Sequence, residues 1–160
     1  MLEKDGSAEK ALYKKEFPKD ETILSRPKAI IECYKPIPCN PCETSCPVDA
    51  IHIGEDINAR PVIDFDRCTG CGICATICPG LAITIRKTAD EKATMKFPYE
   101  FLPRPTKGMT VTLVNRSGDP VGSGRVLGVL DGKRQNKTAL VHVEMARTLL
   151  YDAISIEVLR

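Results

Sequence analysis

The sequence has no tryptophan, and aromatic residues make up only 5% of its 160 positions. Any hydrophobic core must therefore be built mainly from aliphatic side chains. No run approaches the roughly 18 apolar residues that a membrane-spanning helix needs. The segment Met1–Asp20 is charged and lacks the apolar stretch of a secretory signal. These absences predict a cytoplasmic protein without a membrane span.

The sequence also lacks an excess of charge of one sign, since 23 basic residues face 21 acidic ones. Nucleic-acid-binding domains carry a clear basic surplus, so this balance argues against a nucleic-acid partner. No nucleophile–base pair, phosphate-binding loop or dinucleotide fingerprint is present. We therefore expect no substrate chemistry from this chain alone.

Eight cysteines dominate what is present, and all lie within residues 29–86. In the cytoplasm thiols stay reduced, so grouped cysteines more often bind metal than form disulfides. This region contains an internal repeat, because residues 46–53 (CPVDAIHI) match residues 78–85 (CPGLAITI). The repeat predicts two similar halves related by a pseudo-two-fold axis. Such a unit is small, so bound metal should supply much of its stability.

The second set of cysteines has the spacing C-x2-C-x2-C-x3-C-P. It consists of Cys68, Cys71, Cys74 and Cys78. This spacing is typical of bacterial iron–sulfur sites, in which the fourth cysteine binds the other of two clusters. The tight loop is expected to direct several backbone N–H groups at the sulfurs, and Gly70 and Gly72 are expected to let the chain approach closely.

The first set departs from this spacing. Five residues separate Cys33 from Cys39, where two would be expected, and Cys42 and Cys46 then follow. Taking Cys33, Cys39 and Cys42 as the first three ligands leaves Cys46, which precedes a proline, in the place of the fourth. The proline-rich insertion is expected to bulge over the first cluster and to change its exposure.

Residues 29–86 resemble the two-cluster ferredoxin family. The resemblance implies two 4Fe–4S clusters that exchange their fourth ligands between the halves. The first cluster would be held by Cys33, Cys39, Cys42 and Cys78. The second would be held by Cys68, Cys71, Cys74 and Cys46.

The chain as a whole is similar to the small iron–sulfur subunits of FAD-dependent dehydrogenases of the proline, sarcosine, opine or glycerol-3-phosphate type. The likeness lies in Glu32-Cys33, in residues 39–44 (CNPCET) and in residues 97–103 (FPYEFLP). It implies an electron-transfer subunit that relays electrons from or to an FAD-containing dehydrogenase subunit within a hetero-oligomeric complex.

We predict an α+β protein in which a ferredoxin-like dicluster domain precedes a small antiparallel β domain, either a curled sheet or a barrel. The parts are a flexible or partner-wrapped arm at 1–28, the dicluster domain at 29–86, a proline-rich linker at 87–108 and a docking domain at 109–160. The expected strands of the last part are 110–114, 120–130, 139–143 and 154–158, with a helical turn at 146–151. The docking surface is predicted to include Phe97–Pro105 as well.

Side chains around the sulfurs are expected to tune the clusters. The predicted apolar jacket consists of Val48, Ile51, Ile73, Ile77, Leu81 and Ile83. The candidate cations that would favour the reduced state are Lys35, Arg67 and Arg86. The aromatic residues Phe97, Tyr99 and Phe101 either cover this chain's own sheet or anchor a partner.

Several alternatives stay open. Zinc also binds C-x2-C pairs, although zinc sites usually separate their two pairs by a dozen or more residues. The chain could be an independent soluble ferredoxin, for which the residues after Met109 have no obvious use. It could also be a non-redox interaction module in which metal only holds the fold.

Overall fold

The computed structural model describes residues 6–159. The strands are β1 (Lys28–Ile31), β2 (Ile51–His52), β3 (Val62–Ile63), β4 (Ile83–Ala89), β5 (Lys92–Tyr99), β6 (Thr110–Val114), β7 (Pro120–Leu130), β8 (Ala139–Ala146) and β9 (Ser155–Ile156). Seven of them form one antiparallel sheet in the order β1-β4-β5-β8-β7-β6-β9, and β2 pairs with β3. The fold is therefore mostly antiparallel sheet.

The helices of the described residues are short. They are α1 (Lys10–Tyr13), α2 (Pro41–Thr44) and α3 (Ile73–Ile77), with 3-10 turns at Lys14–Glu16, Glu21–Ser25, Lys133–Gln135 and Arg147–Leu149. Helix α2 begins at a proline, whose fixed φ suits the first helical turn. Helix α3 follows Gly72, which has a φ of +91°. Between residues 6 and 159 there is no helix with the length and apolar character needed to span a membrane.

The C-terminal strands lie close to where the sequence predicts them. Strands β6 and β7 have the predicted bounds, whereas β8 continues to Ala146 and β9 is shorter than expected. The sheet is not closed into a barrel, because β1 and β9 lie at opposite ends of the strand order. The described residues thus form an open sheet.

One sheet joins the regions that the sequence separates. The interval predicted as a linker contains the end of β4 and all of β5, and β5 pairs with β8 over its whole length. Asp90 in the tight turn between β4 and β5 has a φ of +49°, which aspartate tolerates better than most residues. The four-part division stays a prediction, but its parts share a hydrogen-bonded framework.

Two hydrophobic clusters pack on the sheet. The first contains Phe17 and Leu24 together with residues of β5 to β9. The segment before β1 therefore packs on this chain's own sheet from Phe17 onward, and residues 1–5 of the predicted arm lie outside the described part of the chain. The second cluster joins Ile83 and Ile85 of β4 to Cys42, Cys68 and Cys74, among others. The predicted ligand residues thus rest on one side of the sheet.

Arg86 is directed away from the cysteines. Ile85 packs with the cysteine-containing cluster, whereas the buried guanidinium of Arg86 donates to the carbonyls of Leu150 (3.2 Å) and Ala153 (2.7 Å). Neighbouring residues of a strand point to opposite faces, so the two environments are those of the two faces. Burial lowers the pKa of Arg86 to about 9. Arg86 therefore serves the packing of the C-terminal segment.

Candidate iron–sulfur centres

Four cysteines from both halves line one cavity. The thiols that line it belong to Cys46, Cys68, Cys71 and Cys74. Cys68 and Cys74 are buried, Cys46 is half-buried and Cys71 is exposed. Burial, followed by the nearby thiols of Cys68, Cys71 and Cys46, raises the pKa of Cys74 to about 12. A cysteine of the first half is thus placed with three of the second.

The other four cysteines influence one another in the same crossed way. Burial, then the nearby thiol of Cys78 and to a smaller extent that of Cys39, raise the pKa of Cys42 to about 11. The pKa of Cys33 is raised by burial, then by Cys78 and, to a smaller extent, by Cys39. The displaced Cys33 therefore lies near Cys78 despite the long insertion. These proximities support the predicted exchange of ligands, which stays a prediction.

The repeated Cys-Pro segments build the same local geometry in both halves. The third residue after each cysteine has a positive φ of 51°, at Asp49 in one half and at Leu81 in the other. The next amide N–H points back at the sulfur, so that Ala50 donates to Cys46 Sγ (3.3 Å) and Ala82 to Cys78 Sγ (3.5 Å). Such N–H donors stabilise negative charge on a ligand sulfur. The sequence interpretation missed these donors, although the shared alanine of the repeat marks them.

The two glycines of the second ligand loop allow the loop to approach other parts of the chain closely. Gly70 has a φ of +67°, and a Cβ there would lie 2.4 Å from the carbonyl oxygen of Pro27. A Cβ at Gly72 would lie 2.6 Å from Leu140 Cδ2. The glycines thus let the loop pack against the residue before β1 and against β8. An N–H group from outside the loop, that of Ala29, donates to Cys68 Sγ (3.4 Å).

The apolar surroundings of the sulfurs are only partly as predicted. Ile51 and Ile83 are buried in the cluster that contains the cysteines, and Val48 packs against it. The other three side chains of the predicted jacket are exposed; they are Ile73, Ile77 and Leu81. Their assignment to the jacket is wrong, because α3 is a single short helix on the surface and these residues lie on its outer side or in the turn after it.

A groove runs beside Cys78. It is lined on one side by residues of α3 and the turn after it, and on the other by the end of β7 and the loop that follows. Its lining residues include Ile73, Ile77, Pro79, Glu100, Leu130 and Arg134. The lining of this Cys78 groove thus contains exposed apolar side chains, an arginine and one predicted ligand.

The aromatic set divides at the end of β5. Phe97 and Tyr99 are buried in the core, whereas Phe101 is 59% exposed and the neighbouring Leu102 is 75% exposed. Phe97 and Tyr99 therefore cover this chain's own sheet. Only the later part of the segment is left to contact a partner.

The residues fit a pair of 4Fe–4S clusters. Each group supplies four thiols, the number that such a cluster takes, and three of the sulfurs accept backbone N–H groups. Burial raises the pKa of the free thiols of Cys42 and Cys74 still further above neutral pH, so binding must release protons. Across residues 6–159, no three or more His, Cys, Asp or Glu side chains are grouped to hold a single metal ion.

Grouped thiols on two short helices and the loops beside them, packed against an antiparallel sheet, are typical of an iron–sulfur protein of the ferredoxin class. The family model described as a 4Fe-4S dicluster domain matches residues 35–82, a region that begins just after Cys33. The pyruvate synthase subunit PorD of Methanocaldococcus jannaschii is 42% identical over 65 residues, which are 41% of this chain and 71% of PorD. The chain belongs to the 4Fe–4S dicluster ferredoxin family, and its cysteine-rich part is an electron-transfer iron–sulfur domain of ferredoxin type.

Other relatives also match only part of the chain. An uncharacterised ferredoxin of Methanocaldococcus jannaschii is 44% identical over 55 residues, 34% of each chain. One subunit of the sulfite dehydrogenase of Allochromatium vinosum is 36% identical over 63 residues, which are 39% of this chain and 24% of that subunit. The chain thus spans about a third or less of these two relatives. No solved structure matches it.

Proposed function

We propose that this chain is the electron-transfer subunit of a larger oxidoreductase and relays electrons from or to a flavin-containing dehydrogenase subunit through two 4Fe–4S clusters. The cavity that Cys46 shares with Cys68, Cys71 and Cys74 carries the proposal. A ligand from one half there completes the ligand set of the other, as in a dicluster relay. Each cluster, when bound, accepts and releases one electron.

The chain's own residues hold, space and shield the clusters. The first set of ligands is Cys33, Cys39, Cys42 and Cys78, and the second is Cys68, Cys71, Cys74 and Cys46. Ile51, Ile83 and Ile85 keep water from the inner side of the sites. Cys71 is exposed, so the second site approaches the protein surface.

The proposed partner is supported by two kinds of observation. Relatives of the cysteine-rich part are named as subunits of pyruvate synthase and of sulfite dehydrogenase. The proposal that this partner contains a flavin is supported by the resemblance of the whole chain to iron–sulfur subunits of FAD-dependent dehydrogenases. Exposed apolar side chains next to Cys78 offer a surface on which such a subunit could lie close to a cluster.

The strand order determines which variants can test docking. Strand β8 lies between β5 and β7 at the centre of the sheet, so deletion of residues 109–160 would leave β5 unpaired on one side and open the core. Such a truncation would not isolate a docking role. Point substitutions at Phe101 and Leu130, which are both exposed, leave the framework in place.

The metal content tests the first half of the proposal. We expect anaerobically purified protein to carry about eight iron and eight acid-labile sulfide per chain, because two clusters of four irons need eight ligands. Dithionite should then produce a paramagnetic signal at low temperature. Stoichiometric zinc without sulfide would overturn the proposal. Bound clusters that dithionite does not reduce would favour the structural-module alternative.

The partner can be tested with two surface variants. We expect Phe101→Glu and Leu130→Glu each to weaken co-purification of a flavin-containing subunit about tenfold or more, because a charge would be buried at the contact. The matched control is Val62→Glu, since Val62 is exposed on β3 outside the Cys78 groove. Retention of flavin by both Phe101→Glu and Leu130→Glu would contradict this docking surface. A native protein that migrates alone would favour the soluble-ferredoxin alternative.

A further inference from the structure

Two basic side chains, one near the leading strand of each half, contact the first cysteine of the other half. Lys28 at the start of β1 donates from Nζ to the carbonyl oxygen of Cys68 (2.7 Å). Arg60, just before β3, donates from Nε to the carbonyl oxygen of Cys33 (2.6 Å). The two contacts are counterparts under the internal repeat, and each ties a leading strand to the opposite ligand set.

The two cations differ in how they are neutralised. Arg60 also forms an ion pair with Glu16 (2.7 Å), and the side chains of this pair are partly exposed. Lys28 is only 7% exposed, and no carboxylate of residues 6–159 is paired with it. The nearby Arg67 and Asp49 pair with each other at the surface (3.4 Å). The second site therefore has a buried, uncompensated positive charge, and the first site does not.

The cations expected from the sequence do not provide this asymmetry. Lys35 is exposed, Arg67 has its own carboxylate partner, and Arg86 serves the opposite face of the sheet. Water and salt weaken the effect of an exposed or paired charge, whereas a buried unpaired one is screened much less. Of these cations, Lys28 should therefore stabilise an added electron most strongly.

We propose that Lys28 raises the reduction potential of the second site, so that this site is reduced before the first. The pairing of Arg60 with Glu16 leaves the first site without such an increase. The inference rests on the proposed function. Reduction adds one negative charge to the site, and the nearby ammonium stabilises the reduced state over the oxidised one. Lys28 is a positioning residue, since it contacts the ligand Cys68 through its carbonyl.

A redox titration of the full chain tests this inference. In Lys28→Met, which keeps the length of the side chain without its charge, we expect the higher of the two midpoint potentials to fall. A tenfold change in the reduction equilibrium corresponds to about 59 mV for a one-electron couple. Lys28→Arg should restore the higher potential. Lys87→Met removes an exposed lysine of β4 and should leave both potentials unchanged.

The neutralised site provides the reciprocal variant. Glu16→Gln leaves the charge of Arg60 uncompensated. We therefore expect the lower midpoint potential to rise by about as much as the higher one falls in Lys28→Met, while the higher potential is unchanged. This variant decides the matter if Lys28→Met loses its clusters on purification. The inference is overturned if Lys28→Met moves only the lower potential or neither, or if Glu16→Gln leaves the lower potential unchanged. A wild-type protein that dithionite does not reduce would instead refute the proposed function.

Discussion

Replacing Cys78 by serine is expected to destroy the cluster of the first set and to spare that of the second, although Cys78 belongs in sequence to the second set. The reason is spatial, since Cys78 lies near Cys33 and Cys42. Cys46→Ser should have the opposite effect, because Cys46 shares a cavity with Cys68, Cys71 and Cys74. Each variant should retain about half of the iron and sulfide, by the requirement of four ligands per cluster.

Four single variants provide the control for this exchange. Cys33→Ser and Cys78→Ser should lose the same paramagnetic signal, while Cys68→Ser and Cys46→Ser should lose the other. Cys33→Ser also tests whether the cysteine displaced by the long insertion is a ligand. Grouping by sequence, with Cys78→Ser matching Cys68→Ser, would show that the ligands are not exchanged.

The sequence is most informative about the cysteines because their signal is local. The second ligand set occupies a continuous loop, and the repeat of 46–53 in 78–85 marks its counterpart. The turns that aim Ala50 and Ala82 at sulfurs depend on residues within four positions of each cysteine. These N–H donors could therefore have been predicted from the sequence, although the sequence interpretation missed them.

The charges around the sites could not be found in this way. Lys28 reaches Cys68 across 40 positions of sequence, and Arg60 reaches Cys33 across 27. Both contacts depend on how the two halves pack together, which no spacing rule encodes. The sequence interpretation chose Lys35 and Arg67, which lie within two positions of a cysteine in the chain, and Arg86 of β4.

The sheet shows the same division between local and long-range information. Strands β6 and β7 were predicted with their observed bounds, because alternating apolar residues and a glycine-containing turn are local signals. Strand β5 was interpreted as part of a linker because Pro98 and the prolines after it favour irregular structure. Its partner β8 lies 40 or more positions away along the chain, and that pairing places Phe97 in the core.

Disruption of a buried ion pair is expected to have the largest effect on stability. Glu32 immediately precedes Cys33, and its carboxylate accepts from Nε (2.8 Å) and Nη2 (2.5 Å) of Arg116 and from the hydroxyl of Tyr34 (2.8 Å). The guanidinium also donates to the carbonyl of Tyr151 (2.7 Å) and lies 3.6 Å from the centre of the Tyr13 ring. This network ties the N-terminal helix, the first ligand segment and the C-terminal strands together.

We expect Arg116→Met to cost about 3–5 kcal/mol of stability, since it leaves the Glu32 carboxylate buried without its cation. The side chains of Arg116 and Glu32 are only 8% and 7% exposed, so water cannot replace the lost partner. Denaturant unfolding followed by circular dichroism measures the loss. The first cluster should be released before the second, because Cys33 is next to Glu32.

Two comparisons separate the unpaired charge from lost packing. In Glu32→Gln/Arg116→Met the buried charge is gone, so this double variant should recover part of the stability that Arg116→Met loses. Lys92→Met breaks the exposed pair with Glu144 (2.6 Å) and should cost less than about 1 kcal/mol. If the double variant is no more stable than Arg116→Met, the unpaired carboxylate is not the cause. The contacts of Arg116 with Tyr13 and the C-terminal carbonyls would then account for the loss.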